Sequence, residues 1–358
     1  MAARDSIRRV TGLSTRDLAH VGGRLATGLR ELTDDVRALD RPGFWVVAAT
    51  FEGAFTCARF ADVRKIKSLD DGGAAAPPWR GPRADAWTSS LDRSRYVAAV
   101  ETVRERIAAG EVYQVNVCRT LSAPSDAADL VGLAALLADR HPSRYPALLQ
   151  LPSAGLRICS ASPELFLARR GDQLETRPIK GTARTSSELL EKDHAENVMI
   201  VDMARNDLGR VAVNGSVRVS GLCEEEPYPG LVQLVSTVRA RLRPDVGWAE
   251  LLAATFPPAS VSGAPKRSAL RLIRELEPAP RGPYCGALGY VDNTPGRQGE
   301  AALAVAIRTF WLDDGRLRFG AGAGITWGSD PRREWDETTL KAARLTELAS
   351  ARVTTAAR

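Results

Sequence analysis

The sequence predicts an α+β fold built on a largely antiparallel sheet. Strand-like and helix-like segments come in runs instead of strict alternation. Five strand-like pieces crowd between residues 112 and 176, with one helical pattern among them.

Taken in order, Leu25, Leu29, Leu32, Val36 and Leu39 recur at helical spacing, and Phe44-Trp45-Val46-Val47 opens a strand. Asp70-Asp71-Gly72-Gly73 through Pro77-Pro78, then Gly81-Pro82, mark a loop or linker. Asp92 is placed to cap a helix with Tyr96, Val100, Val103 and Ile107 on one face, ended by Gly110. Strands are expected at 112–117, 147–151, 156–159, 165–168 and 173–176, with a helix at 129–140. Helices at 187–205 and 267–276 follow, then strands at 287–291, 301–311 and 317–321. Asp330-Pro331 starts a last helix with a capping residue and a proline at the first helical position. There is no internal repeat.

Composition narrows the function class. The chain has 358 residues, 44% hydrophobic and 26% charged, as in ordinary globular proteins. No apolar run has the length of a membrane span, and Met1-Ala-Ala-Arg-Asp lacks the layout of a secretory signal. Five cysteines, scattered and never in a CxxC pair, argue against a zinc site or disulfide framework and fit a reducing cytosol, so a cytoplasmic enzyme without a membrane partner is expected. Three histidines leave little for a histidine-rich metal centre. The net charge of +6 comes from basic residues interleaved with acids, so it reads as solubility, or as steering of a small polyanion, without a nucleic-acid partner.

Three constellations carry chemistry. Asp193 and Glu196 are three residues apart on one helix, as are Glu334 and Glu337 on another, with Lys341 one turn beyond. Each pair can present two carboxylates in one direction. Four converging carboxylates need a cation, and hard oxygen ligands suit Mg²⁺. Read by spacing alone they are solvated surface acids, Glu337 and Lys341 forming a weak ion pair. In Thr176-Arg-Pro-Ile-Lys180-Gly-Thr182, a lysine between strand residues and a Gly-Thr turn is either held rigid and partly desolvated, hence nucleophilic, or an ordinary exposed lysine. The run Gly320-Ala-Gly322-Ala-Gly324 lets backbone N–H groups approach a carboxylate, or marks a tight sheet crossing.

The ordered set is more specific than its members. Ser162-Pro-Glu164, Arg177-Pro-Ile-Lys180-Gly-Thr182, Ala195-Glu196-Asn-Val-Met-Ile-Val-Asp202 running on to Arg210, and Ser262-Gly-Ala-Pro-Lys266 appear in sequence. Arg281-Gly-Pro-Tyr284-Cys-Gly286, Ala306-Ile-Arg308-Thr309, Gly320-Ala-Gly-Ala-Gly324-Ile325 and Glu334-Trp-Asp-Glu337 follow. Over residues 92–349 this resembles the chorismate-utilising family: anthranilate synthase component I, aminodeoxychorismate synthase component I, and the isochorismate and salicylate synthases.

The resemblance implies a four-layer α/β sandwich, two mainly antiparallel sheets flanked by helices, with residues 1–90 joining the same sandwich and 91–350 forming the catalytic domain. It implies direct Mg²⁺ ligation by Glu196 and Glu337, with Asp193 and Glu334 supporting through water. Tyr284, Arg308 and the backbone of Gly322 and Gly324 match positions that grip the substrate's side-chain carboxylate; Thr182 lies against the substrate and Lys341 near the metal-bound end. Water-using members carry a lysine where this chain has Gln114, which cannot accept a proton from water. Lys180 looks like the aminodeoxychorismate signature: it attacks C2 of chorismate while Glu164 protonates the departing C4 hydroxyl, and ammonia then expels it.

Relatives usually read His-Leu-Val-Ser where this chain has Gln233-Leu-Val-Ser236. The segment from Thr182 to Glu196 is short, and Ser262 stands where threonine is common. The Leu-Leu-Glu-Ser motif of tryptophan feedback is missing, and no Gly-x-Cys-x-Gly glutaminase nucleophile is present. The expected function is therefore amination of chorismate, with ammonia from a separate glutamine amidotransferase subunit, feeding a lyase and 4-aminobenzoate for folate or an arylamine product. Anthranilate synthesis and a catalytically impaired regulatory homologue are the alternatives.

Overall fold

The computed structural model describes residues 17–67, 77–228, 231–297 and 299–351. In chain order the first strands are β1 (Leu18–Val21), β2 (Arg24–Thr33), β3 (Phe44–Ala49), β4 (Phe55–Lys65), β5 (Thr88–Ser89) and β6 (Gln114–Pro124). The middle of the chain supplies β7 (Tyr145–Leu151), β8 (Leu156–Ser162), β9 (Leu165–Arg170), β10 (Gln173–Arg177), β11 (Ile179–Ala183), β12 (Arg218–Tyr228) and β13 (Leu231–Arg241). Then come β14 (Gly263–Ala264), β15 (Ala287–Asp292), β16 (Glu300–Val305), β17 (Thr309–Asp313) and β18 (Arg316–Ile325). The helices are α1 (Arg93–Ala108), α2 (Val131–Arg140), α3 (Glu191–Gly209), α4 (Trp248–Thr255), α5 (Lys266–Leu276) and α6 (Pro331–Ala349).

Every registered strand pair is antiparallel. One sheet runs β6–β18–β17–β8–β7–β1, with the short β5 and β14 also on β6. The other runs β2–β4–β3–β15–β16–β9–β10–β13, where β13 also takes β11 and β12. The β1–β2 pairing joins the two.

Period-two alternation assigns the faces of the first sheet. Leu148, Cys159, Phe310 and Phe319 pack with Leu133 and Leu137 of α2 and Leu345 of α6. Their strand neighbours Leu149, Ile158 and Trp311 join one large cluster with Val46, Leu288, Leu303 and Leu167 of the second sheet. Helix α3 lies on β13, β11 and β12, with α4 beside it. The layers are thus helix, sheet, sheet, helix, the architecture that the resemblance implies. Residues 18–65 are woven into both sheets through β1–β7 and β3–β15.

Three expectations need correction. Leu25, Leu29 and Leu32 lie on strand β2, and only Val36–Asp40 makes a 3-10 turn. Gly28 has φ +68° and the register with β4 shifts between Leu29 and Glu31, so a bulge breaks the alternation and mimics helical spacing. The expected strand 301–311 is two strands, because β16 pairs with β9 while β17 pairs with β8. The chain passes between sheets at residues 306–308, where Arg308 adopts φ +51°. The glycine run is a continuous strand, paired with β6 from Arg316 to Ile325. Strands β1, β4, β11, β12 and β13 and helix α4 were not anticipated.

The last helix begins as expected: Asp330 accepts hydrogen bonds from the Arg332 and Arg333 N–H groups. Asp92 caps α1 through the Arg95 N–H. Of the expected loop, Asp70–Asp71–Gly72–Gly73 lies outside the described residues, while residues 77–79 and 81–83 are irregular. No helix among the described residues is long and apolar enough to cross a membrane. All five cysteines are free.

Candidate active site

Glu164 sits in the turn between β8 and β9 with 4% of its surface exposed. Its own N–H donates to Ser162 Oγ, which donates to the Val305 carbonyl at 2.6 Å. Burial is the dominant influence on the Glu164 carboxyl and lifts it to about 7. It does so against hydrogen bonds from the Ser260 hydroxyl and the Ile179 N–H and against the charge of Lys180. A carboxyl in that state keeps its proton near neutrality and can give it away.

Lys180 is the residue after Ile179, on β11. The following Gly181 has φ +85°, and a Cβ there would stand 2.9 Å from the Cβ of Asp193. Glycine therefore lets the first turn of α3 close onto the lysine's strand. Lys180 is half-buried and reaches across to the other sheet. Its Nζ lies 3.0 Å from where a Cβ on Gly324 would be, a point also approached by Gln114 Nε2 at 2.4 Å and Asn116 Oδ1 at 3.5 Å. Its charge is felt by Glu164, Glu196 and Glu337 together.

The acids come from the opening turns of α3 and α6, where helix dipoles favour negative charge. Burial raises Glu196, Lys180 and Lys192 oppose the rise, and Asp193 and Glu337 add repulsion. Glu334, 4% exposed, is likewise raised by burial, with a Ser329 hydrogen bond opposing it and Glu337 adding to it. At Glu337 burial is outweighed by Lys341, then Lys192 and Lys180, and the carboxyl falls below its ordinary value. Asp193 Oδ2 accepts the Leu190 N–H at 2.9 Å and so ties down the start of α3.

These four carboxyls form one electrostatic group, yet among the described residues no three acid, histidine or cysteine side chains are drawn in as a ligand set. Lys341 explains part of this. Its Nζ is 2.6 Å from Glu337 Oε1 and donates to the Gly322 carbonyl at 3.2 Å. By donor chemistry the group fits a hard divalent cation: it is all oxygen and carries more negative charge than the nearby lysines of α3 and α6 answer.

The other expected residues divide. Gln114 is fully buried, and neither its Nε2 nor its Oε1 has a hydrogen-bond partner. Gly322 is pressed against Cys118, whose Sγ would lie 2.4 Å from an added Cβ. Tyr284 is buried with its ring on Gly320 and faces Cys285 and Cys118, beneath the glycine strand. Arg308 instead approaches His141 Nε2 at 3.4 Å and the Tyr228 phenol, away from the acid group. Thr182 is exposed, opposite Gln233 in the β11–β13 register. Gln233 is buried, and its Oε1 has no partner.

Two residues were missed, Ser260 and Asn116. Asn116 had a signal, since strand alternation puts it on the face of Gln114; Ser260 had none. A cavity of about 390 Å³ lies elsewhere, between α2 and strands β7 and β8, lined by His20, His141 and Ser143. None of the acids or Lys180 borders it. We place the chemistry at the charged cleft, because its reactive groups converge there.

Comparison with known proteins agrees with this architecture. The chain is 42% identical over 270 residues to an aminodeoxychorismate synthase of Streptomyces griseus, covering 72% of this chain and 36% of that one. It is 40% identical over 280 residues to anthranilate synthase component 1 of Streptomyces coelicolor, covering 75% and 53%. Aminodeoxychorismate synthase component 1 of Escherichia coli is 37% identical over 272 residues, covering 72% and 58%. The chain thus spans between about a third and three fifths of these relatives' length. Anthranilate synthase component I from Streptococcus pneumoniae superposes with a TM-score of 0.74 at 24% identity, over 97% of this chain and 93% of that one. The menaquinone-specific isochorismate synthase from Escherichia coli superposes with a TM-score of 0.75 at 19% identity, over 98% and 92%. The family model described as chorismate binding enzyme matches residues 56–347, and the chain belongs to that family.

Proposed function

We propose that the chain is the aminating component of a cytoplasmic aminodeoxychorismate synthase, converting chorismate to 4-amino-4-deoxychorismate with ammonia from a separate glutamine amidotransferase subunit. The observation that carries this reading is the Lys180 amine beside Gly324, near enough to buried Glu164 for its charge to act on that carboxyl. Relatives of that name are among the most similar proteins.

Lys180 Nζ forms a bond to C2 of chorismate. Both ring double bonds shift, from C1=C2 and C5=C6 to C1=C6 and C4=C5, the C4–O bond breaks, and Glu164 gives its proton so that water leaves. Ammonia then bonds to C4, the electrons shift back, and the C2–N bond breaks to return a neutral lysine amine. The surplus proton on the new C4 amine goes to the Glu164 carboxylate, restoring the acid. Gln114 has no basic group and leaves water without a proton acceptor there. Glu196 and Glu337, with Asp193 and Glu334 behind them, would hold Mg²⁺, which would supply a positive anchor for the ring carboxylate. A lyase then releases pyruvate to give 4-aminobenzoate, for folate or an arylamine product.

Similarity to anthranilate synthase component 1 is as high, so the product decides. The test is incubation with chorismate, Mg²⁺ and ammonium, with and without added lyase, and mass spectrometry of the product. Aminodeoxychorismate without lyase and 4-aminobenzoate with it are expected. Fluorescent anthranilate released without lyase refutes the assignment.

A further inference from the structure

Lys180 and Glu196 lie on different elements, one on β11 and the other on α3, and something must fix their separation. Ser236, on β13 and fully buried, touches both supports. Its N–H donates to the Pro178 carbonyl at 3.1 Å, two residues before Lys180 and next to Ile179, whose N–H holds Glu164. Its hydroxyl donates to Asn197 Oδ1 at 2.5 Å, and Asn197 is the neighbour of Glu196. The same hydroxyl accepts the Cys223 N–H at 2.8 Å, at a β12 residue with φ +53° where the β12–β13 register slips. Asn197, also fully buried, donates its Nδ2 to the Leu234 carbonyl at 3.0 Å. Both side chains have their hydrogen-bonding capacity directed inward at neighbouring elements, and neither reaches solvent or the reacting groups.

We propose that Ser236 and Asn197 form a buried clamp that sets α3 against β11, and so fixes the distance and direction of Glu196 relative to Lys180. They are positioning residues, and the inference rests on the reading above that Lys180 and Glu196 serve one site. A fully satisfied buried network specifies one arrangement of the elements it joins. Without the Ser236 hydroxyl, the Cys223 N–H and Asn197 Oδ1 both lose a partner, and of this network only the Asn197 Nδ2 bond to the Leu234 carbonyl still ties α3 to β13.

The test compares the parent with Ser236→Ala and with Ser236→Thr, which keeps the hydroxyl. Calorimetry of Mg²⁺ binding to the protein without chorismate is measured beside kcat and the melting temperature. Ser236→Ala is expected to weaken Mg²⁺ binding and lower kcat, each on the order of 10-fold, as small misplacements of reacting groups do. Ser236→Thr is expected to restore both. A Ser236→Ala protein with parental Mg²⁺ binding and kcat overturns the clamp, whether or not its melting temperature falls. If Ser236→Ala is recovered unfolded, Asn197→Ser withdraws the acceptor instead, and parental Mg²⁺ binding and kcat in that protein overturn the clamp equally. The parent's product is identified in the same assay. A parent that makes anthranilate refutes the proposed reaction, while the ratio of variant to parent still judges the clamp.

Discussion

Glu164 and Glu337 belong to one cleft and to opposite regimes. Burial acts upward on both, yet it carries Glu164 to about 7 while Lys341, Lys192 and Lys180 outweigh it at Glu337 and leave that carboxyl below its ordinary value. The strand-borne end of the cleft holds one acid under β8, β9 and β11. The helix-borne end gathers four acids at the openings of α3 and α6. A lone buried carboxyl is most stable with its proton on, whereas Glu337 has lysines close enough to outweigh its burial and favour the charged form. In the proposed reaction, this placement alone would make Glu164 the proton donor and the helix-borne acids the cation seat, with Lys180 between them.

Removing the residue that spans the two ends has the largest expected effect. Lys180→Ala should lower amination of chorismate by about 10³-fold or more, because the covalent route is lost outright. Chorismate binding, measured by calorimetry, should change only a few-fold if the backbone of Gly322 and Gly324 grips the side-chain carboxylate, as the resemblance implies. Amination at the parental rate by this variant would show that the lysine is a bystander.

Glu164→Gln sharpens the contrast by removing the strand-borne acid only. Activity should fall about 10²- to 10⁴-fold. The parent's rate should also decline as pH rises through about 7, as Glu164 gives up its proton, and that limb should be absent in the variant. The stability sign is the same. Between the ordinary carboxyl value of 4.5 and about 7, the unfolded chain has released the proton that the folded protein keeps, so stability falls as pH rises across that window. The full shift corresponds to about 3 kcal/mol at most. Glu164→Gln, having no such proton, should unfold at a temperature less dependent on pH, which thermal melts from pH 4.5 to 8 would show.

The two ends also differed in how far the sequence disclosed them. Asp193 with Glu196 and Glu334 with Glu337 were legible from residue spacing, because a helix converts three-residue separations into a shared face. Gln114 and Asn116 were open to the same logic with a period of two. Glu164 carried no local signal and Lys180 one with two readings, and the ordered motifs singled both out. Ser260 and the Asn197–Ser236 pair, 39 residues apart, act through hydrogen bonds across the fold that no periodicity encodes. The same limit hid the break at Arg308: Ala306 and Ile307 are strand-like in composition, and only the change of partner strand ends the pairing. In β2 a bulge imitated helical spacing, since a single inserted residue shifts the alternation.

The smallest effect tests the open end alone. If Glu337 holds Mg²⁺ as proposed, Lys341 competes with it, and both partners of that 2.6 Å pair are half-exposed, at 50% and 44%. Exposed pairs of this kind are worth about 0.2–1 kcal/mol, so Lys341→Met should tighten Mg²⁺ binding only about two- to fivefold, read by calorimetry in the absence of chorismate. The gain should shrink at higher salt, where the competing ammonium is already screened. The Gly322 carbonyl, which also loses its donor, faces water and can be solvated, so no compensating collapse is expected. Unchanged or weaker Mg²⁺ binding would mean that Glu337 is not the group for which lysine and metal compete. The helix-borne acids would then be a solvated surface, and the contrast between the two ends would reduce to burial of Glu164.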